Sequence, residues 1–246
     1  MILYLTSSAF TCADPVTHKG CKLNPQNGFV DSLRKNWKKD RPMAGLIITA
    51  DPAAYEMNDG MCKDFLNSFR KEDLAMSGMM VLDGRNADQA GRLIRQSDLI
   101  ILGGGHVPTQ KDFFESLNLK KRIKDFEGIV IGISAGSMNC AKTVYALPEL
   151  EGEAINPEYQ RFFPGLGMTD VMIIPHMNQM RYELLDGLQV IEDIAFGDSC
   201  GRAFCLMPDG SYICEHNGKT RLFGEAYIIC DERMEQICSE GSSIDC

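Results

Sequence analysis

Short, continuously apolar runs punctuate the first two-thirds of the chain: Ile2–Leu5, Gly45–Thr49, Met79–Leu82, Leu99–Leu102 and Ile129–Ile133, each bounded by Gly, Asp or Ser. Strands apolar on both faces are expected where helices cover both sides of a parallel sheet. Between the runs, apolar positions recur at helical spacing over about Asn27–Trp37, Met61–Lys71, Ala87–Gln96 and Gln110–Phe126. In the last of these Phe113, Phe114, Leu117, Ile123 and Phe126 form a stripe, and Gly128 follows as a stop. This alternation predicts a three-layer, doubly wound, mostly parallel α/β sheet.

After about Cys200 the rhythm changes. Ala203–Leu206, Ser211–Cys214, Thr220–Phe223 and Ala226–Cys230 read as closely spaced strands, with Pro208-Asp209-Gly210, Asn217-Gly218 and Gly224 as turns between them. C-terminal antiparallel hairpins closing one edge of the same domain are expected, with a polar tail after Ser239 that frays. There is no internal repeat, low-complexity tract or linker, so residues 1–246 are expected to form a single domain.

Composition narrows the function classes. A net charge of −9 without a basic stripe argues against nucleic acid and anionic lipid as partners. Met1–Ser8 has no basic leader and too short an apolar run for a signal peptide, and no stretch approaches a membrane span, so a cytoplasmic location is expected. The ten cysteines are scattered, with no CxxC and no zinc spacing, and read as reduced thiols. Nothing in the pattern calls for a metal or a cofactor.

The sharpest chemical signal is Gly132-Ile133-Ser134-Ala135-Gly136, a G-x-S-x-G between an apolar strand and a helix start. A serine in that tight turn has its hydroxyl lifted clear of the backbone, with the free N–H of Ala135 beneath it for an oxyanion. The competing reading is a serine that merely caps a helix. Gly103-Gly104-Gly105-His106 follows the Leu99–Leu102 strand and offers further backbone donors; a plain tight turn is the alternative. A serine nucleophile needs a base, and the histidines are His18, His106, His176 and His216. His176 follows Val171–Ile174 and Pro175, at the ligand-binding end of an expected strand, and is the candidate base. His106 directly follows the glycine loop and is expected to face substrate. His216 lies in a hairpin turn and His18 in an N-terminal loop. For the acid that orients the base, one of Glu151 and Glu153 is expected, with Asp170 a lesser candidate.

A strand followed by three glycines, G-x-S-A-G, Pro-His at a strand end and a terminal hairpin array together resemble the peptidase E and cyanophycinase family of serine peptidases, peptidase family S51. The likeness runs from about Asp98 to Ile229 and includes the Leu206–Tyr212 segment with Asn217-Gly218. It implies a class I glutamine amidotransferase-like (flavodoxin-like) fold with serine at the elbow, a Ser–His–acid triad and a homodimer. Carried over by position, it implies Ser134 as nucleophile, His176 as base and Gly104, Gly105 and Ala135 around the oxyanion. The 42 residues from Ser134 to His176 are closer to the cyanophycinase branch. Where the dipeptidase branch has an aspartate after the elbow, this chain has Tyr145-Ala146-Leu147-Pro148; the other branch's glutamate falls near Glu151-Gly152-Glu153. Arg181 is the nearest match to a substrate-binding basic residue. The expected function is hydrolysis of small peptides, of dipeptidase or isopeptidase type. The alternatives are an esterase-type serine hydrolase and a non-catalytic binding protein on the same scaffold.

Overall fold

The computed structural model describes residues 1–11 and 20–246. His18, named above, and Cys12, one of the ten cysteines, lie outside the described residues.

The five apolar runs become five parallel strands: β1 (Ile2–Thr6), β2 (Met43–Ile48), β3 (Met76–Leu82), β4 (Leu99–Leu102) and β5 (Ile129–Ile133), in the spatial order β3-β2-β4-β5-β1. Side chains alternate between the faces of a strand, and the core divides accordingly. Leu3, Leu5, Leu46, Ile48, Ile100, Leu102 and Val130 pack on one side, and Tyr4, Ile47, Leu99, Ile101, Ile129 and Ile131 on the other. Helices α1 (Phe29–Asn36) and α2 (Tyr55–Lys71) cover the second face through Phe29, Leu33, Phe65 and Phe69. Helices α3 (Ala90–Arg95), α4 (Val107–Ser116) and α5 (Leu119–Ile123) cover the first through Leu93, Phe113, Phe114 and Ile123. The result is a mixed α/β fold around a mostly parallel central sheet.

The helix expected over Gln110–Phe126 is in fact two, α4 and α5. Asn118 takes a left-handed φ of 49° between them, and a left-handed residue cannot carry the helical hydrogen-bond ladder through. Earlier in the chain, the Ala87–Gln96 segment opens with a 3₁₀ turn at Ala87–Gln89 before α3 begins.

The hairpin array also departs from expectation. Further along the chain come α6 (Ala135–Asn139) and, among other elements, strands β6 (Thr143–Tyr145), β7 (Phe162–Pro164), β8 (Met172–Ile174), β9 (Ala203–Leu206), β10 (Tyr212–His216), β11 (Lys219–Phe223), β12 (Ala226–Cys230), β13 (Arg233–Cys238) and β14 (Ser243–Asp245). They do not close one edge together. β10, β11 and β14 extend the central sheet antiparallel beyond β1, whereas β8-β9-β12-β13 form a second sheet. The chain crosses from one sheet to the other at Met207–Ser211, where Ser211 N donates to Pro208 O at 3.2 Å. His176 therefore follows a strand of the smaller sheet, not of the central one. The tail is likewise ordered: β14 pairs with β11, and Cys246 N donates to Thr220 O at 2.9 Å. Polar composition suggested fraying, but an unpaired edge of β11 offers the tail a ladder to join.

The expectation of uniformly reduced thiols needs one correction. Cys62, Cys140, Cys200, Cys205, Cys214, Cys230, Cys238 and Cys246 are free, but Cys21 is disulfide-bonded. Among the described residues, no helix is long and apolar enough to cross a membrane.

Candidate active site

β5 ends at Ile133 and α6 starts at Ala135, so Ser134 must turn the chain within a single residue. It does so at φ 49°, ψ −114°, a conformation L-residues rarely hold and one that marks functional turns. Close packing enforces the turn. A Cβ added at Gly136 would lie 2.1 Å from Leu102 O, so only glycine lets α6 sit this near the end of β4. Thr6, the last residue of β1, fastens the elbow from the other side. Its O accepts Ser134 N at 3.0 Å and Ser137 Oγ at 2.8 Å, and its N donates to Ser137 Oγ at 2.8 Å.

The glycine loop lies where adjacent strands put it, since β4 and β5 pair in parallel. A Cβ on Gly104 would stand 3.5 Å from Ser134 Cβ, so this loop touches the serine side chain. Gly103 N is taken by Ile48 O at 2.9 Å, and Gly103 O by Gln110 Nε2 at 2.7 Å. Among the described residues no acceptor takes the N–H of Gly104 or Gly105, and Ala135 N, in the first turn of α6, has no partner within the helix. Three uncommitted N–H groups thus lie on the loop and the helix start that flank the half-buried Ser134.

His176 arrives from β8 with a left-handed φ of 56°. Its N–H donates to Ser7 Oγ at 2.7 Å, and Ser7 directly follows the Thr6 that holds Ser134. One dipeptide, Thr6-Ser7, therefore holds the elbow with its first residue and the backbone of His176 with its second. Ser134 Oγ and the His176 ring are not hydrogen-bonded to each other; such contacts commonly tighten only around substrate.

The acid at His176 is one the sequence reading passed over. His176 Nδ1 donates to Asp209 Oδ1 at 2.8 Å, and Ser7 Oγ donates to the same oxygen at 2.7 Å. Burial pushes the Asp209 carboxyl up, but the hydrogen bond and charge of His176 and the bond from Ser7 outweigh it and hold it below the usual carboxylate range. It stays ionised at neutral pH. In the neutral ring the proton sits on Nδ1 and the lone pair on Nε2, where no described residue occupies it.

The glutamates expected there lie elsewhere. Glu153 Oε1 bonds His106 Nε2 at 2.9 Å, and its Oε2 accepts Glu149 N at 2.9 Å and Leu150 N at 3.0 Å. Glu151 is exposed, and Asp170 precedes β8, at the end of that strand remote from His176. His106 has its other nitrogen, Nδ1, on Thr109 Oγ1 at 2.7 Å. Both of its ring nitrogens are engaged, which disqualifies it as a free base. Arg181 is exposed just beyond the short helix Met177–Met180 that follows His176, and its charge acts on the Tyr227 phenol. His216 is exposed at the end of β10.

Two residues of this constellation, Ser7 and Asp209, escaped the sequence reading. Asp209 was visible as a turn residue in Pro208-Asp209-Gly210, inside the Leu206–Tyr212 segment that carries part of the family likeness. Ser7 was signalled by polar residues at the C-terminal end of a buried strand, where ligands gather in such sheets.

The model of peptidase family S51 matches residues 48–220, which include the glycine loop, the elbow, His176 and Asp209. No curated protein matches the sequence. Among solved structures, the fold is similar to that of a candidate peptidase E protein from Listeria monocytogenes EGD-e, with a TM-score of 0.58, 13% identity, and coverage of 96% of this chain and 98% of that one. The family model spans well over half of the sequence, and the chain belongs to peptidase family S51.

Proposed function

We propose that the protein is a serine peptidase that hydrolyses small peptides, of dipeptidase or isopeptidase type, through an acyl-enzyme on Ser134. The scaffold in this reading is that of the class I glutamine amidotransferases, with serine in place of cysteine at the elbow. The observation that carries it is the pairing of His176 Nδ1 with Asp209, which leaves Nε2 as a proton acceptor on the dipeptide that also fastens the elbow.

Ser134 Oγ attacks the scissile carbonyl as His176 Nε2 takes its proton, and Asp209 stabilises the imidazolium that forms. The N–H groups of Ala135, Gly104 and Gly105 receive the negative charge on the former carbonyl oxygen. His176 then returns the proton to the leaving amine, and water, deprotonated by the same nitrogen, releases the acyl group. Arg181, exposed beyond His176, is available for a substrate carboxylate. His106 can offer substrate only its ring edge, because its nitrogens are occupied.

A fluorophosphonate probe tests this directly. The wild-type protein should be labelled on Ser134, identified by peptide mapping, and Ser134→Ala should abolish both labelling and peptide hydrolysis while leaving the melting temperature within a few degrees. Peptidase activity that survives in the folded alanine variant would remove Ser134 from the mechanism.

A further inference from the structure

The glycine loop beside Ser134 is anchored at both ends and free of bonds between them. Its upstream end is fixed by Gly103 through the backbone of Ile48 and the side chain of Gln110. Gly104 and Gly105 then run unbonded into His106, the residue that enters α4. The downstream end is fixed by the backbone of α4, where His106 O accepts Gln110 N at 3.1 Å, and by the His106 ring, so the partners of that ring help set the segment that flanks Ser134. That ring is held at both nitrogens, by Thr109 one turn into α4 and by Glu153 from a separate loop.

Glu153 is well placed to hold it. Its side chain is 15% exposed and that of His106 22%, so little water competes for the bond. Its second oxygen gathers Glu149 N and Leu150 N, curling the acidic loop around the carboxylate. The loop is braced from behind by Asp186, whose two oxygens accept Gly152 N at 2.7 Å and Ala154 N at 3.0 Å. The bracing runs without a gap from Asp186 through the acidic loop, Glu153 and His106 to Gly105.

We infer that His106 and Glu153 form a second histidine–carboxylate pair that positions the oxyanion-binding loop rather than transferring protons. The inference rests on the Ser134 reading above. The two pairs have opposite tautomers. Asp209 draws the proton of His176 to Nδ1 and leaves Nε2 basic, whereas Glu153 draws the proton of His106 to Nε2 and Thr109 fills Nδ1. The first arrangement leaves a nitrogen for chemistry and the second leaves none. The acidic loop thus acts on the reaction through the glycine loop.

Kinetics of labelling by a fluorophosphonate separate positioning from binding, because its phosphoryl oxygen must enter the oxyanion site in the transition state. Glu153→Gln cannot satisfy both sets of donors: glutamine has one oxygen, so its amide NH₂ must face either the imidazole or two backbone N–H groups. Glu153→Gln and His106→Ala should each lower the maximal labelling rate by about 10- to 100-fold, less than outright removal of an oxyanion donor. The probe concentration at half-maximal rate should stay within about twofold, as expected for an interaction made only in the transition state. The double variant should lose no more than about threefold beyond either single one, because each acts through the other. Thr109→Val, which leaves Glu153 and the fold intact, should show a smaller loss of the same kind and carries the test if the other variants do not fold. Nitrogen NMR of wild-type His106 should report an Nε2-protonated ring. Wild-type labelling rates in the folded variants, losses confined to probe affinity, fully additive losses or an Nδ1-protonated ring would each overturn the pair. Failure of the wild-type protein to label at Ser134 would instead overturn the reading on which the pair rests.

Discussion

Replacing Asp209 by Asn is the most informative single change, because the carboxylate serves two donors through one oxygen. In the wild type, Oδ1 receives His176 Nδ1–H at 2.8 Å and Ser7 O–H at 2.7 Å. The amide keeps the shape but loses the charge. When His176 becomes an imidazolium in the transition state, it then lacks an anion about 4 Å from its charge centre. The Asp209 side chain is 56% exposed and that of His176 29%, which calls for an effective dielectric between that of a protein surface and that of water. At a dielectric of about 40 the lost attraction is about 2 kcal/mol, or roughly 30-fold in rate. The amide can also present its NH₂ to Nδ1, which drives the ring to the Nε2-protonated tautomer and costs about another tenfold. A fall in kcat of about 10² to 10³ is expected, smaller than the roughly 10⁴ seen where the corresponding aspartate is buried. Stopped-flow hydrolysis of a nitrophenyl ester or an aminoacyl anilide, followed from pH 5 to 9, is a suitable assay. Because the Asp209 carboxyl is held low, its contribution to stability is present above the usual carboxylate range and disappears as the pH falls through its folded value. The variant should therefore resemble the wild type in stability most closely in acid. A kcat within threefold of wild type across the range would refute the assignment of Asp209 as the orienting acid.

Two further outcomes follow from the packing and charge around the site. Burial pushes the Glu149 carboxyl up to about 8, with the charges of Glu153 and Glu183 adding to the effect. A folded value above the unfolded one means stability is greatest in acid and is lost as the pH rises towards 8, so Glu149→Gln should raise the melting temperature at pH 8 and change it little at pH 5. Gly136→Ala would place a methyl 2.1 Å from Leu102 O, a clash with backbone that no rotamer relieves; chemical denaturation should show a loss of about 3 kcal/mol or more, with the elbow displaced and labelling at Ser134 lost.

The sheet was legible because its strands are apolar on both faces, a pattern that admits few other readings; β4 and β5 begin and end at the expected residues. Ser134 was legible for a local reason, since glycine spacing and the strand-to-helix change are both written within a few residues. The acid was not. The glutamates clustered at positions 149, 151 and 153, between Ser134 and His176, were the conspicuous carboxylates, and Glu153 does pair with an imidazole, but with His106. Which histidine a carboxylate meets depends on where loops distant in sequence are brought together, and no periodicity encodes that. Asp209, in a Pro-Asp-Gly turn, has composition indistinguishable from an ordinary reverse turn. The split of the hairpins between two sheets was hidden for the same reason, because the Met207–Ser211 crossing looks like any other turn in one dimension.

That crossing has a consequence for how the enzyme fails. In the proposed triad, Ser134 follows a strand of the large sheet, His176 a strand of the small one, and Asp209 lies on the five-residue Met207–Ser211 strap that joins them. A slight parting of the two sheets would draw the proton acceptor away from the serine while each sheet kept its own ladder intact. Heat or denaturant should therefore silence catalysis ahead of any change in secondary structure, and the hydroxyl, stranded without its base, would be the first part of the molecule to report that the halves have come apart.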